Sequence, residues 1–224
     1  MTALPNLFDQ WAEVYDTDLN PLLALENRTL PALLPAVAQA HVLDVGCGTG
    51  RWLQHLELLQ PASLTGADTS DAMLAIARRK VSAGTTLVNA PATRLPASNS
   101  SHDLVLASFV LSYIEDLPAF AAECARILKP AGHLIVTDMH PATATARDWT
   151  RGFKHGQQNI HVPAQTHSLT DILAAFAQQG LTLVAQHEPA FAEPERYLFI
   201  EANKHSAYED IRHTPAIYLL KLQK

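Results

Sequence analysis

Over the first forty residues apolar side chains recur at helical spacing: Leu7, Trp11, Val14 and Tyr15, then Leu22, Leu23, Leu25, Leu30, Leu33 and Leu34. Pro21, Pro31 and Pro35 mark breaks or first-turn positions, so two helices are predicted ahead of the first strand. From His41 the spacing changes to a short apolar run, Val42-Leu43-Asp44-Val45, which meets Gly46-Cys47-Gly48-Thr49-Gly50 and resumes as helix from Trp52 to Leu56. The same rhythm returns as a strand over 63–68 and a helix over 71–81 with Ser70 as its N-cap. Arg78, Arg79 and Lys80 fall at the end of that helix, where cations complement the macrodipole without needing a ligand. Strands at 86–88, 103–108 and 133–137 come next, with a helix from about 117 to 128 before the last of them, closed by Lys129-Pro130-Ala131-Gly132. Alternation of this kind predicts a parallel sheet covered on both faces.

The last third reads differently. Residues 141–167 are polar, with Trp149, Phe153 and several histidines, and read as an insertion too short for its own core. A helix over 168–179 capped by Ser168 or Thr170 and stopped by Gly180, a strand over 181–185 and a strand over 215–220 complete the pattern. With no clearly periodic helix between them, the two strands are expected to pair antiparallel at one edge. Glu193, Glu195, Arg196 and Asp210 lie in the unreadable stretch between and receive no role.

Composition narrows the function classes. The chain has 224 residues, 48% hydrophobic and 17% charged, and a formal net charge of −6, which leaves no diffuse positive field for a nucleic-acid backbone. No uncharged apolar stretch approaches the roughly 20 residues of a membrane span, and the first ten residues lack a signal-peptide pattern, so a cytoplasmic protein is expected. Cys47 and Cys124 read as reduced core thiols. His155, His161 and His167 are spaced by six, which matches no helical face and no compact ligand motif, so no metal is expected.

A glycine turn between a first parallel strand and its helix marks the point where open sheets bind cofactors. Gly46, Gly48 and Gly50 with Arg51 in the sixth position fail the G-x-G-x-x-G register of dinucleotide folds, and no Gly-Lys-Ser/Thr comes after them for a P-loop. The string Val42–Gly50 instead closely resembles motif I of the class I S-adenosylmethionine-dependent methyltransferases. Three further segments match in the right order: Asp68 at the end of the second strand, Ser101–Ile114 as the fourth strand with the segment after it, and Leu128-Lys-Pro-Ala-Gly-His-Leu-Ile-Val as helix end, turn and fifth strand. Phe8-Asp9-Gln-Trp11-Ala-Glu-Val-Tyr15-Asp16 resembles the aromatic lid of many small-molecule members.

The resemblance implies a Rossmann-like, doubly wound α/β fold: a mostly parallel seven-stranded sheet with the last strand antiparallel and an N-terminal helical lid, in a single domain over 1–224. It divides into lid (1–40), cofactor-binding core (41–140), insertion near the substrate (141–167) and C-terminal helix with edge strands (168–224). It also implies S-adenosylmethionine as cofactor, with S-adenosylhomocysteine as product. Gly46 and Gly48 would approach its amino-acid part, with Gly50 also in the cofactor-binding loop, and Asp44 would support that loop and reach the ammonium directly or through water. Asp68 would hold the ribose, Met73 would pack near the adenine, Ser108 would face the methionine portion, Tyr15 would come from the lid, and Thr69 joins the cofactor-binding set. The family's adenine-binding aspartate is replaced by Pro91, which leaves the Ala92 backbone N–H for the ring. His140 and Tyr113, at the carboxyl edge of the sheet, are the candidate catalytic residues, although a lone histidine there also reads as a satisfied loop residue. Trp11 and Tyr15, four apart, likewise read as one face of a helix, as core or lid.

The expected activity is methyl transfer to oxygen or nitrogen of a small-molecule acceptor, by a monomer or homodimer with no nucleic-acid or membrane partner. A catalytically silent S-adenosylmethionine-binding partner protein, an acyl-carrier-protein carboxyl methyltransferase and a nicotinamide oxidoreductase are the alternatives.

Overall fold

The computed structural model describes residues 4–17 and 19–224. Two helices, α1 (Leu4–Ala12) and α2 (Pro21–Thr29), precede the sheet, α2 capped by the Asn20 side chain, which accepts from the Leu22 N–H at 3.0 Å. Then come β1 (His41–Val45), α3 (Arg51–Glu57), β2 (Ser63–Asp68), α4 (Asp71–Lys80), β3 (Thr86–Asn89), β4 (His102–Ser108), α5 (Leu117–Ile127) and β5 (Leu128–Met139). The polar stretch forms α6 (Pro141–Ala146) and a hairpin of β6 (Arg151–His155) and β7 (Gln158–Val162). The chain closes with α7 (Leu169–Gln178), β8 (Thr182–His187), α8 (Glu193–Glu201), α9 (His205–Ile211) and β9 (Ile217–Gln223).

The seven-stranded sheet runs β3-β2-β1-β4-β5-β9-β8. All pairs from β3 to β5 are parallel, and β9 is antiparallel to both β5 and β8, so it alone runs against the rest. This is the expected doubly wound sheet. The last two strands do pair antiparallel, but not for want of helix between them: α8 and α9 lie there, and their weak apolar periodicity hid both.

Period-2 alternation sorts the strand residues between two cores. Val105, Ala107, Leu134, Val136 and Leu220 pack with α5 and α7, while Leu104, Leu106, Ile135 and Leu219 pack with α2, α3, α8 and α9. Asp44 shares its face with Val42 and points toward α3; Asp138 shares its face with Val136 and points the other way. Both free cysteines are buried.

One buried charge ties the N-terminal helices to the sheet. Glu26 of α2 is fully buried and accepts from Arg51, from Trp52 Nε1 (3.0 Å), from Ser108 Oγ (2.8 Å to Oε1) and from Thr137 Oγ1. On the same helix Arg28 Nε donates at 2.7 Å to Glu195, itself 1% exposed, which also accepts from the Ala192 N–H at the start of α8. Glu195, unreadable from sequence, therefore clamps α8 to α2.

Candidate functional site

At the carboxyl ends of β1, β2 and β4 the loops and the N-terminal segment enclose a cavity of about 460 Å³. One end is built by the glycine turn. Gly46 (φ +66°) and Gly48 (φ +53°) both sit in left-handed backbone, which L side chains adopt at a cost. A Cβ on Gly46 would lie 2.3 Å from Val110 Cγ2, whereas one on Gly48 would meet nothing within 4 Å and would project into open space. Gly46→Ala is therefore expected to lower both the melting temperature and ligand affinity. Gly48→Ala is expected to cost about 1 kcal/mol of stability, the backbone cost alone, while still impairing binding. Thermal unfolding and calorimetric titration of the two variants separate these effects, and equal melting temperatures would contradict the geometry.

Asp68, at the tip of β2, lines the same end: its Oδ2 accepts from the Gly48 N–H and its Oδ1 from the Ser70 N–H, both at 2.9 Å. Burial pushes its carboxyl above the usual range, opposed by the Ser70 and Gly48 N–H groups. Thr69, Met73, Pro91, Ala92 and Ser108 also line the cavity. Asp44 lies beneath the turn, buried, with Oδ1 lacking any hydrogen-bond partner. Burial raises its carboxyl well above the ordinary range, Arg51 lowers it, and Glu26 and Asp68 raise it further.

The other end is aromatic. Phe8 and Trp11 of α1, Tyr15 just beyond it, Phe109 after β4 and Tyr113 line it with Leu22 and Leu23 of α2. Phe8 meets Tyr113 edge-on at 4.9 Å, and Trp11 stacks on Phe153 of β6 at 5.4 Å. The N-terminal segment is fastened beside the cavity by acidic side chains. Asp9 accepts from Ser70 Oγ (2.5 Å) and the Ala72 N–H (3.3 Å), and Asp16 accepts from Thr49 Oγ1 (2.8 Å) and pairs with Lys80.

Several expectations are corrected. His140 does not line the cavity: it precedes α6, is buried, and its Nε2 meets Glu188 at 3.0 Å, because the backbone after β5 turns toward the β8 and β9 side. Gly50 also lies off the lining; as the residue before α3 it lets that helix pack on α4, where a Cβ would come 3.1 Å from Ala77 Cβ. Asp44, buried near the end of β1, is likewise off the lining. Trp11 and Tyr15 do not share a helical face, since α1 stops at Ala12, yet their rings still meet at 5.4 Å. Trp149 faces a separate cavity of about 130 Å³ beside Asp138 and Tyr218.

Arg151, which opens β6, lines both cavities and was missed. Nothing in its local sequence marks it, because its partners Ser112 and Asp138 lie far along the chain. Glu26 did carry a signal: it is a carboxylate directly after the apolar stretch Leu22-Leu23-Ala24-Leu25.

A family profile for the methyltransferase domain matches residues 43–136. The chain is 30% identical over 199 residues to a phthiotriol/phenolphthiotriol dimycocerosates methyltransferase of Mycobacterium leprae, covering 83% of this chain and 73% of the relative. It is 33% identical over 141 residues to a demethylmenaquinone methyltransferase of Lactiplantibacillus plantarum, covering 58% and 59% of the two chains. Among solved structures, an S-adenosylmethionine-dependent methyltransferase from Mesorhizobium loti superposes with a TM-score of 0.72 at 21% identity, covering 89% of this chain and 97% of that one. On the strength of the sequence matches, with a fold that agrees, the chain belongs to the class I S-adenosylmethionine-dependent methyltransferases.

Proposed function

We propose that this enzyme methylates an oxygen or nitrogen of a small molecule held at the aromatic end of the cavity, and that α1 with the Trp11–Tyr15 turn acts as its lid. The observation that carries the reading is one cavity, of a size typical for small-molecule sites, joining the glycine turn and Asp68 to an aromatic wall. The residues present suit the cofactor: Asp68 lines the cavity beside Gly48, which leaves open space above the turn, and the Asp44 carboxyl lies buried behind that turn with Oδ1 unpartnered. On this reading Asp68 takes the ribose, Met73 and the Ala92 backbone take the adenine, and Thr69, Ser108 and Tyr15 complete the surround. The cofactor supplies an activated methyl carbon that is displaced in line.

The chain contributes position and exclusion of water. Among the described residues lining the cavity there is no histidine, and burial raises the Tyr113 hydroxyl pKa, so Tyr113 serves as a hydrogen-bond donor and not as a base near neutral pH.

Calorimetric titration with S-adenosylhomocysteine tests the reading: one site per chain is expected, with NAD and ATP far weaker, and no heat from ligand-free protein would refute it. The binding should also depend on pH. Burial raises both Asp44 and Asp68, so the ligand-free fold holds protons that the unfolded chain releases; their contribution to stability is present below the ordinary carboxylate range and is lost as pH rises through the raised values. Binding that needs both groups ionised expels those protons. Affinity is therefore expected to climb with pH above the ordinary carboxylate range and then level off, with proton release visible as a buffer-dependent binding enthalpy. A flat profile would show that neither carboxyl changes state.

A further inference from the structure

We infer that Asp9 and Asp16 are positioning residues that tie α1 and the turn after it to the two cofactor-holding loops, so that the bound cofactor fastens its own cover and the cover sets how long it stays. This rests on the methyltransferase reading and adds to it the control of cofactor release. Both ties end on those loops. Ser70 is fully buried and stands between two carboxylates: its N–H donates to Asp68 Oδ1 at 2.9 Å and its Oγ to Asp9 Oδ1 at 2.5 Å. The same Oγ accepts from the Met73 N–H at 3.1 Å and so caps α4. Asp9 also accepts from the Ala72 N–H, which places its charge at the positive end of a helix of 10 residues. Asp16 accepts from the Thr49 hydroxyl, inside the glycine turn, and pairs with Lys80 at the other end of α4. Neither acid lines the cavity, so each acts on the ligand through Ser70 or Thr49.

The cover is weak by itself. At 9 residues α1 is shorter than the roughly 12–15 at which an isolated helix becomes marginal in water, so it depends on docking and opens at little cost. Phe8, Trp11 and Tyr15 line the cavity, and when closed they complete its aromatic wall through the Phe8–Tyr113 and Trp11–Phe153 ring contacts. Charge supplies the coupling. Asp9 and Asp68 flank one serine, and their like charges oppose the closed arrangement; burial first, and the Asp9 carboxylate with it, push the Asp68 carboxyl up. Ribose hydroxyls donating to Asp68 would offset that repulsion. A bound cofactor then favours the closed cover, and by reciprocity the closed cover retains the cofactor.

The test reads hydrogen exchange of residues 4–17 by mass spectrometry, with and without saturating S-adenosylhomocysteine, together with the rates at which that ligand binds and leaves. Saturation should slow exchange of the wild-type segment about tenfold. In Asp9→Ala and Asp16→Ala the ligand should leave about tenfold faster, with association changed less than about threefold. At saturation their 4–17 segment should exchange nearly as in the ligand-free protein while Gly46–Gly50 is still protected. Asp9→Asn keeps an acceptor for Ser70 and should restore part of the slow release. Because Asp9 acts through Ser70 on Asp68, Asp9→Ala added to Asp68→Ala should lower affinity by less than about threefold further. A wild-type segment that exchanges alike with and without ligand, wild-type release rates in both alanine variants, or full additivity with Asp68→Ala would overturn the inference and leave the methyltransferase reading standing. Failure of the wild type to bind S-adenosylhomocysteine removes both.

Discussion

Replacement of Glu26 by alanine is expected to lower the melting temperature by roughly 6–12 °C, a larger stability loss than at Gly48. Glu26 is fully buried and gathers Arg51, Trp52 Nε1, Ser108 Oγ and Thr137 Oγ1 around one carboxylate. Removing one partner of a buried ion pair costs about 3–5 kcal/mol, because the remaining charge loses its compensation. Arg51 keeps 20% of its side-chain exposure and can recover some hydration, which places the effect near the lower figure. Each kcal/mol corresponds to about 2–4 °C for a chain of this size, and that conversion gives the expected fall. Glu26→Gln retains acceptor and donor capacity but not the charge, and should fall between wild type and alanine. Thermal unfolding by circular dichroism reads both, and an alanine variant whose melting temperature matches that of the wild type would mean that the carboxylate contributes no net stability.

The largest effect on binding is expected at Asp68. If its carboxylate holds the ribose, each hydrogen bond to a charged group is worth about 1.5–3 kcal/mol, so Asp68→Ala should weaken S-adenosylhomocysteine at least about tenfold. The Gly48 and Ser70 N–H groups also lose their acceptor, loosening the glycine turn itself. Asp68→Asn keeps an oxygen for one of these donors and should lose less. Calorimetry of the three proteins, with circular dichroism to show that each is folded, decides the matter. Unchanged affinity in the alanine variant would move the ribose elsewhere.

The features legible in the sequence were those that depend on neighbours along the chain. The turn Gly46–Gly50, the Ser70 and Ser168 caps and the strand-helix rhythm up to Thr137 are local signals, and the structure has these elements within a residue or two through β4 and α5, whereas β5 begins earlier and ends later than the strand read at 133–137. The aromatic wall was legible only in part. Trp11, Tyr15 and Tyr113 stood out as aromatics near motifs, but Arg151 and Glu26 act through partners 13 to 111 residues away, a separation no local pattern encodes. His140 shows the converse failure. Its place after β5 is where an acceptor residue was expected, yet side-chain direction is set by tertiary contact, and Glu188 holds it on the other side.

The reversed strand β9, made last among the described elements, lies inside the sheet between β5 and β8. During synthesis β1 through β5 can pair as they emerge, whereas β8 has no neighbour in the sheet until residues 217–223 arrive. A nascent chain halted before that point would leave the outer edge of β5 and both edges of β8 unpaired, each a template for pairing with another chain. A chain cut just short of β9 is therefore expected to aggregate and not to give a shortened enzyme, so the 7 residues of β9 decide whether β8 joins the sheet at all.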